Sequence, residues 1–351
     1  MKHFNLILVA ALFLFVSPQY LRAVETAKPH PYKEVVGPYQ VQTVTYDWTD
    51  QKRNRQVPVR IYYPKAGKGS FPVVIFSHGL GGSRDDYDYL GASWASHGYI
   101  CVHPQHIGSD DSVWKNAPLL ERLQALQDSA LNLQNAINRP YDITFVIDQL
   151  KKLNQDDARF KNRLDLDRLG MAGHSFGSYT TLAIAGEVFS VLGGEKSVGD
   201  PRVKAAIAMS SPIPHKSAQY DLAYGKISIP CFHMTGTLDT MPFSDKDPLK
   251  RRVPFDHINK ADQFLVTFKD ADHMTFSGHI PGLGNGDKDP FFQNLVLLGS
   301  IAFWDAYLKN DPKAKAWFTG KGFDGILGND GKFEKKLVAK SKKANQPKSG
   351  K

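Results

Sequence analysis

Only two cysteines, Cys101 and Cys231, occur in 351 residues, which excludes a disulfide-stapled scaffold. Each lies inside an apolar strand-like run, "YICVHP" and "IPCFHM". A free thiol packs there as a small hydrophobe, so neither a bridge nor a metal site is expected. The twelve histidines form no Cys/His cluster and no His-Glu-x-x-His spacing, which removes the usual zinc signatures. Beyond the first residues no apolar run approaches the roughly 18 that a spanning helix needs. Internal repeats, an interdomain linker and a basic stripe interleaved with aromatics are also lacking, so nucleic acid is not an expected partner.

What is present at the two ends explains the charge. Met1-Lys2-His3 precedes an apolar run from Phe4 to Val16, and Pro18 leads to a plausible cut after Ala23. That pattern reads as a cleaved secretory signal over residues 1–23, placing the mature chain in a secreted or periplasmic setting. Of the formal net charge of +9, two charges lie in this leader and seven in residues 332–351, so the body is neutral. The lysine-rich end has few apolar residues and no period, and is expected to stay solvated and disordered. It is either a solubilising end or a loose attachment to an anionic surface. Residues 24–331 are left as one catalytic-sized domain.

Strand-like and helix-like segments alternate from Tyr39 onward. "YQVQTVTYDW" and "QVPVRIYYP" alternate as an antiparallel edge pair, and "FPVVIFSHG" and "YICVHPQH" read as buried strands. A helix is expected over Arg84 to Ser96, capped by Ser83 and ended by His97-Gly98. An insertion from Gly108 to Pro140 carries Leu119, Leu123, Leu126, Ala130, Leu133 and Ile137 on one helix face, stopped by Pro140. A second helix follows with Ile143, Val146, Ile147, Leu150 and Leu153 inward, and a closing helix begins at Pro290 with Asp289 able to cap it. The alternation predicts an α/β fold, a mostly parallel central sheet with helices on both faces.

"RLGMAGHSFGSYTTLAIAG" is the informative stretch. A buried strand ending near Ala172 turns at once into a helix of small residues, which puts Ser175 at the apex of a tight turn. Only residues without bulk suit its flanks, hence Gly173 and Gly177: a nucleophile elbow. A serine is a poor nucleophile until a base takes its proton. Asp239 follows "IPCFHMTGTL" and His273 follows "QFLVTFKDAD", giving the order serine, acid, histidine. His273 is assigned as the base and Asp239 as the acid that fixes its tautomer. Asp245 is the rival acid, and His257 and His279 are rival bases that do not directly follow a strand. Asp270 and Asp272 read as loop carboxylates. "SHGLGGSR", Ser77 to Arg84, ends a buried strand with three glycines, so the oxyanion donors are expected to be the backbone N–H groups of Leu80 and Phe176.

"HGLGG", "GHSFG", "GTLD" and "DADH" on successive strands resemble the α/β-hydrolase superfamily. "RQVPVRIYYP", "FSHGLGGSRDDY" and "GHSFGSYTTLAIAG" look like its platelet-activating-factor acetylhydrolase and dienelactone-hydrolase-like branch. Dienelactone hydrolases proper use a cysteine at the elbow, whereas this chain has Ser175, which favours a serine esterase. The resemblance spans about Tyr39 to Phe318 and implies ester hydrolysis without a cofactor. The substrates it implies are short-acyl esters, acetylated or oxidised phospholipids, or polyesters. The insertion is expected to overhang the site, its amphipathic helix as core cover rather than a lid, with Trp114 either lining the acyl or alcohol pocket or simply packing. A peptidase or amidase on the same fold and an inactive surface-binding hydrolase fold are the competing readings. The oligomeric state stays open.

Overall fold

The computed structural model describes residues 31–191, 194–212, 219–241, 247–277 and 289–339. The proposed leader and the residues after 339 lie outside the described residues. β1 (Val41–Asp50) and β2 (Arg55–Pro64) form the expected antiparallel edge pair, with Val41 opposite Pro64 and Asp50 opposite Arg55. The continuous apolar runs become β3 (Phe71–Ser77) and β4 (Ile100–Pro104), every residue of which is buried. Between them lies helix α1 (Asp88–Ser96).

The chain continues through α2 (Ser112–Lys115), α3 (Arg122–Leu131) and α4 (Leu133–Asp156). β5 (Leu164–His174) and α5 (Phe176–Ala185) follow, then a separate two-stranded hairpin, β6 (Val188–Val191) with β7 (Gly194–Ser197). After these come β8 (Val203–Met209), α6 (Tyr220–Tyr224), β9 (Cys231–Leu238), α7 (Val253–His257) and β10 (Gln263–Asp272). The chain closes with α8 (Asp289–Tyr307), α9 (Pro312–Thr319), α10 (Gly322–Leu327) and β11 (Gly331–Lys336).

Nine strands form one sheet in the order β1-β2-β4-β3-β5-β8-β9-β10-β11. The six strands from β4 to β10 are mutually parallel, and β1, β2 and β11 add antiparallel edges. This is the α/β-hydrolase architecture. Side chains of α1 and α8, among them Trp94, Ile301, Phe303 and Trp304, fill one apolar layer. Ile143, Val146, Ile147 and Leu150 of α4 help to fill the other. Each such side chain contributes roughly 1.5–3 kcal/mol by leaving water, so the two layers anchor the sheet from both faces. Cys101 and Cys231 are buried and free. Burial raises both thiols, Cys231 to about 12, so neither supplies a thiolate.

Four sequence expectations are corrected. The helix expected from Arg84 begins only at Asp88, because the Ser83 N–H and the Asp86 carboxylate close a turn first (2.7 Å). Pro140 does not stop a helix: α4 runs through it to Asp156. The carbonyl of Ala136, which a proline nitrogen cannot serve, instead accepts the Tyr179 hydroxyl at 3.3 Å. The break falls at Asn132, whose side chain caps the Gln134 N–H at 2.9 Å.

The expected core-covering face of the insertion is largely exposed, with Leu119 at 77%, Leu123 at 56% and Leu133 at 72%. Residues 332–336, read as the start of the solvated tail, form β11 against β10. Phe333 is the reason: it is buried in a cluster with Phe232, Phe264, Phe318 and Phe323. Lys336 meanwhile donates to the carbonyls of Phe255, Asp256 and Ile258.

Candidate active site

Because β3, β5, β9 and β10 run parallel, the loops that leave their carboxyl ends gather at one edge of the sheet. Ser175 occupies the single position between β5 and α5, at φ 54 and ψ −117, a backbone conformation that costs on the order of 1–3 kcal/mol in a non-glycine residue. Its flanks explain the glycines. A Cβ on Gly177 would stand 1.8 Å from the Ser77 carbonyl oxygen, and one on Gly173 would stand 2.3 Å from the Gly177 oxygen. Strand β3 therefore presses directly against the turn, and no larger side chain fits. The Ser175 N–H is held by the Met209 carbonyl at 2.9 Å.

Asp239, fully buried, follows β9, and His273, also buried, follows β10. His273 Nδ1 donates to Asp239 Oδ1 at 2.7 Å, which leaves Nε2 as the free face of the imidazole. The other carboxylate oxygen accepts from Thr235 Oγ1 at 2.8 Å, and Arg251 Nε lies 3.5 Å from Oδ1. Burial would raise the Asp239 pKa. The His273 hydrogen bond and the charges of His273 and Arg251 outweigh it and hold the carboxyl well below the ordinary carboxylate range. Asp239 is thus anionic wherever the fold is intact.

The elbow and the imidazole are joined through His174. Its Nε2–H donates to the His273 carbonyl at 2.9 Å, and the two rings lie 4.7 Å apart. With Nε2 protonated, Nδ1 accepts the Tyr87 hydroxyl at 2.8 Å, and the Tyr87 oxygen accepts the Gly79 N–H at 3.3 Å. Burial, followed by the charge of His273, pushes the His174 pKa well down, so it stays neutral and keeps this tautomer. A continuous chain of hydrogen bonds therefore runs from the glycine loop, through the elbow, to the backbone of His273. Among the described residues no hydrogen bond joins Ser175 Oγ to His273 Nε2; such contacts in unliganded sites are often long and close on substrate.

Neither the Leu80 nor the Phe176 N–H has a hydrogen-bond partner among the described residues. Phe176 opens α5, where the helix dipole adds a partial positive charge. Leu80 lies in a loop pinned on its far side: Gly81 donates to the Ser109 carbonyl at 2.9 Å, and Asp111 donates to that of Gly82 at 2.9 Å. Trp114 donates its indole N–H to the Gly81 carbonyl at 2.7 Å. A Cβ on Gly81, at φ +73, would meet that indole at 3.1 Å and Leu126 at 2.7 Å. Trp114 thus buttresses the loop from α2.

The rival assignments separate in space. His257 pairs with Asp221 at 2.6 Å on the surface. Asp272 caps the turn at His273–Phe276 through the Met274 and Thr275 N–H groups, and the Asp270 N–H is held by Thr237 Oγ1. Asp245 and His279 lie outside the described residues. Sequence reasoning did not single out Tyr87, Arg139 or Arg251, whose roles depend on contacts across many elements.

A sequence profile of the chlorophyllase family matches residues 32–192, a stretch that contains Ser175 but neither Asp239 nor His273. The chain is 24% identical over 236 residues to a platelet-activating factor acetylhydrolase of Canis lupus familiaris, covering 59% of this chain and 48% of that protein. To the protein of the same name in Cavia porcellus it is 24% identical over 300 residues, 75% of this chain and 63% of that one. A cutinase of Thermobifida alba is 22% identical over 216 residues, 61% of this chain and 57% of that one. The matched part therefore spans only about half to two thirds of these relatives' length. The chain resembles α/β-hydrolase serine esterases of the platelet-activating-factor acetylhydrolase branch.

Proposed function

We propose that this chain is a serine-dependent carboxylic ester hydrolase acting on short-acyl esters, exported by its N-terminal leader to a secreted or periplasmic setting. The observation that carries the reading is the buried Asp239–His273 pair, tied through His174 to a strained serine. In this mechanism Nε2 of His273 takes the Ser175 proton as Oγ attacks the ester carbonyl. Asp239 holds the Nδ1–H tautomer and stabilises the cation that forms. The tetrahedral oxyanion is held by the Leu80 and Phe176 N–H groups, both without competing acceptors. Collapse expels the alcohol with the proton from His273 and leaves an acyl ester on Ser175. Water, deprotonated by the same imidazole, then releases the acid.

The names of the relatives support an ester rather than an amide as the bond cut, and acetyl as the acyl size. Two measurements test this. A fluorophosphonate probe is expected to label the wild-type protein and not Ser175→Ala; equal labelling of both removes Ser175 from the reaction. p-Nitrophenyl acetate is expected to be cleaved faster than the octanoate and than acetyl-p-nitroanilide; faster anilide turnover would make the protein an amidase.

A further inference from the structure

Arg139 lies on α4 with no surface exposure, yet none of the proposed steps uses it. Its contacts divide between the two halves of the oxyanion site. Toward the glycine loop, Nη2 donates to the carbonyl of His78 and to Ser77 Oγ at 3.1 Å, and Nη1 donates to Ser109 Oγ at 2.8 Å. Ser109 is the residue whose carbonyl holds Gly81, next to Leu80. Toward the elbow, Nε donates to Thr180 Oγ1 at 3.0 Å, and Thr180 in turn donates to the Phe176 carbonyl at 3.0 Å. The guanidinium plane also sits 4.5 Å from the Phe176 ring centroid.

Every one of these acceptors is neutral. Among the described residues no carboxylate lies within ion-pair distance of Arg139. The nearby acid, Asp142, is already committed to Arg55 through two hydrogen bonds, to Arg53 at 2.8 Å and to His106 Nδ1 at 3.0 Å. His106 is then a donor at Nδ1 and an acceptor at Nε2, so the Ser77 hydroxyl points to His106 at 2.9 Å and turns its lone pair to Arg139. Burial, and next the Arg139 charge, lowers His106 to about 4, so it does not compete as a cation. A buried arginine without a counter-ion is costly. Such a charge serves catalysis where charge of the opposite sign appears only during reaction, since an interaction stronger in the transition state than in the ground state raises kcat.

We propose that Arg139 is a positioning residue for the oxyanion hole: its buried guanidinium locks the Leu80 loop to the Phe176 turn and keeps an unneutralised positive charge behind the two amide donors. The proposal rests on the ester-hydrolysis reading. Its test uses the full-length chain, with p-nitrophenyl acetate as substrate, fluorophosphonate titration of reactive sites, and phenylboronic acid as a probe whose tetrahedral anion needs the hole.

In Arg139→Lys, which keeps the charge but loses the fork, kcat per titrated site is expected to fall about 10- to 100-fold with KM within about twofold. Phenylboronic acid affinity should weaken by the same factor. Ser109→Ala cuts one tie without emptying the site, and is expected to lower kcat about threefold and to weaken phenylboronic acid binding in parallel. A purely structural Arg139 predicts fewer titrated sites at unchanged kcat per site and unchanged phenylboronic acid affinity. That result in either variant overturns the proposal while leaving the esterase reading intact. Failure of the wild-type protein itself to label would overturn both.

Discussion

Arg139 and Arg251 are both almost fully buried, and both lie behind a part of the site that carries or meets charge. Arg251 faces the Asp239 carboxylate at 3.5 Å and donates to the Ser211 carbonyl at 3.0 Å. Its charge is answered within the resting fold. Arg139 meets only hydroxyls, a carbonyl and an aromatic face. The difference separates two uses of one residue type. A paired arginine fixes a partner's ionisation, whereas an arginine surrounded by neutral dipoles keeps its field for a charge that arrives later.

The comparison breaks most visibly if the paired arginine is removed. Arg251→Met leaves Asp239 with His273 and Thr235 but strips a buried counter-charge, which is expected to destabilise the fold by about 3 kcal/mol. The sign in pH follows from the direction of the Asp239 shift. A carboxyl held below its ordinary value contributes stability that is present above the ordinary carboxylate pKa and lost as pH falls through the depressed one. Without Arg251 that loss begins at higher pH, so the variant is expected to unfold in less acidic solution than the wild type. Denaturant titration at neutral pH and an acid-unfolding curve read the two effects; a variant with wild-type stability and an unmoved acid transition would make Arg251 incidental.

A third buried charge sharpens the contrast from the acidic side. Glu187 follows α5 and is 4% exposed; its backbone N–H donates to the Leu182 carbonyl at 2.9 Å, but its carboxylate has no hydrogen bond or ion pair among the described residues. Burial alone raises its pKa from 4.5 to about 8. Between those values the unfolded chain sheds the proton and the folded chain keeps it, so stability falls as pH rises from about 4.5 to about 8 and stays lower above. Glu187→Gln is expected to remove this slope, a gain of up to about 5 kcal/mol at pH 9 with little change at pH 4. Thermal melts at both pH values check it; parallel losses for wild type and variant would mean that the carboxyl ionises freely.

How much of this was legible in the sequence depends on what each signal measures. Continuous apolar runs mark strands covered on both faces, and β3, β4, β9 and β10 stand where such runs predict them. The elbow was legible because Gly173 and Gly177 answer to backbone contacts with β3 and with each other, which no other residue satisfies. Periodicity in the insertion, by contrast, reports only that a helix has an apolar face. What that face meets is a tertiary fact, and Leu119, Leu123 and Leu133 meet solvent. Pro140 misled for a related reason: its cost depends on whether the orphaned carbonyl finds another donor, and Tyr179, 39 positions later, supplies one. Phe333 amid lysines was the sole local sign that β11 exists. The two arginines were invisible because their partners are distant in sequence: Arg139 meets residues of three separate segments, around Ser77, Ser109 and Phe176–Thr180, and Arg251 meets Asp239 and Ser211.

The smallest expected effect tests the division of labour between side chain and backbone at the oxyanion loop. The Leu80 side chain is partly exposed and enters no proposed step, while its N–H has no partner among the described residues. The loop's shape is set by Ser109, Gly82 and Trp114 contacts that do not involve the leucine side chain. Leu80→Ala is therefore expected to keep kcat within about threefold of wild type, in contrast to Arg139→Lys, which leaves both amides in the chain but loosens their spacing. Steady-state kinetics on p-nitrophenyl acetate compares the two directly. If Leu80→Ala lost as much kcat as Ser175→Ala, the donor would have to be something other than a backbone amide. The role given to Arg139 would then have no donor pair to act on.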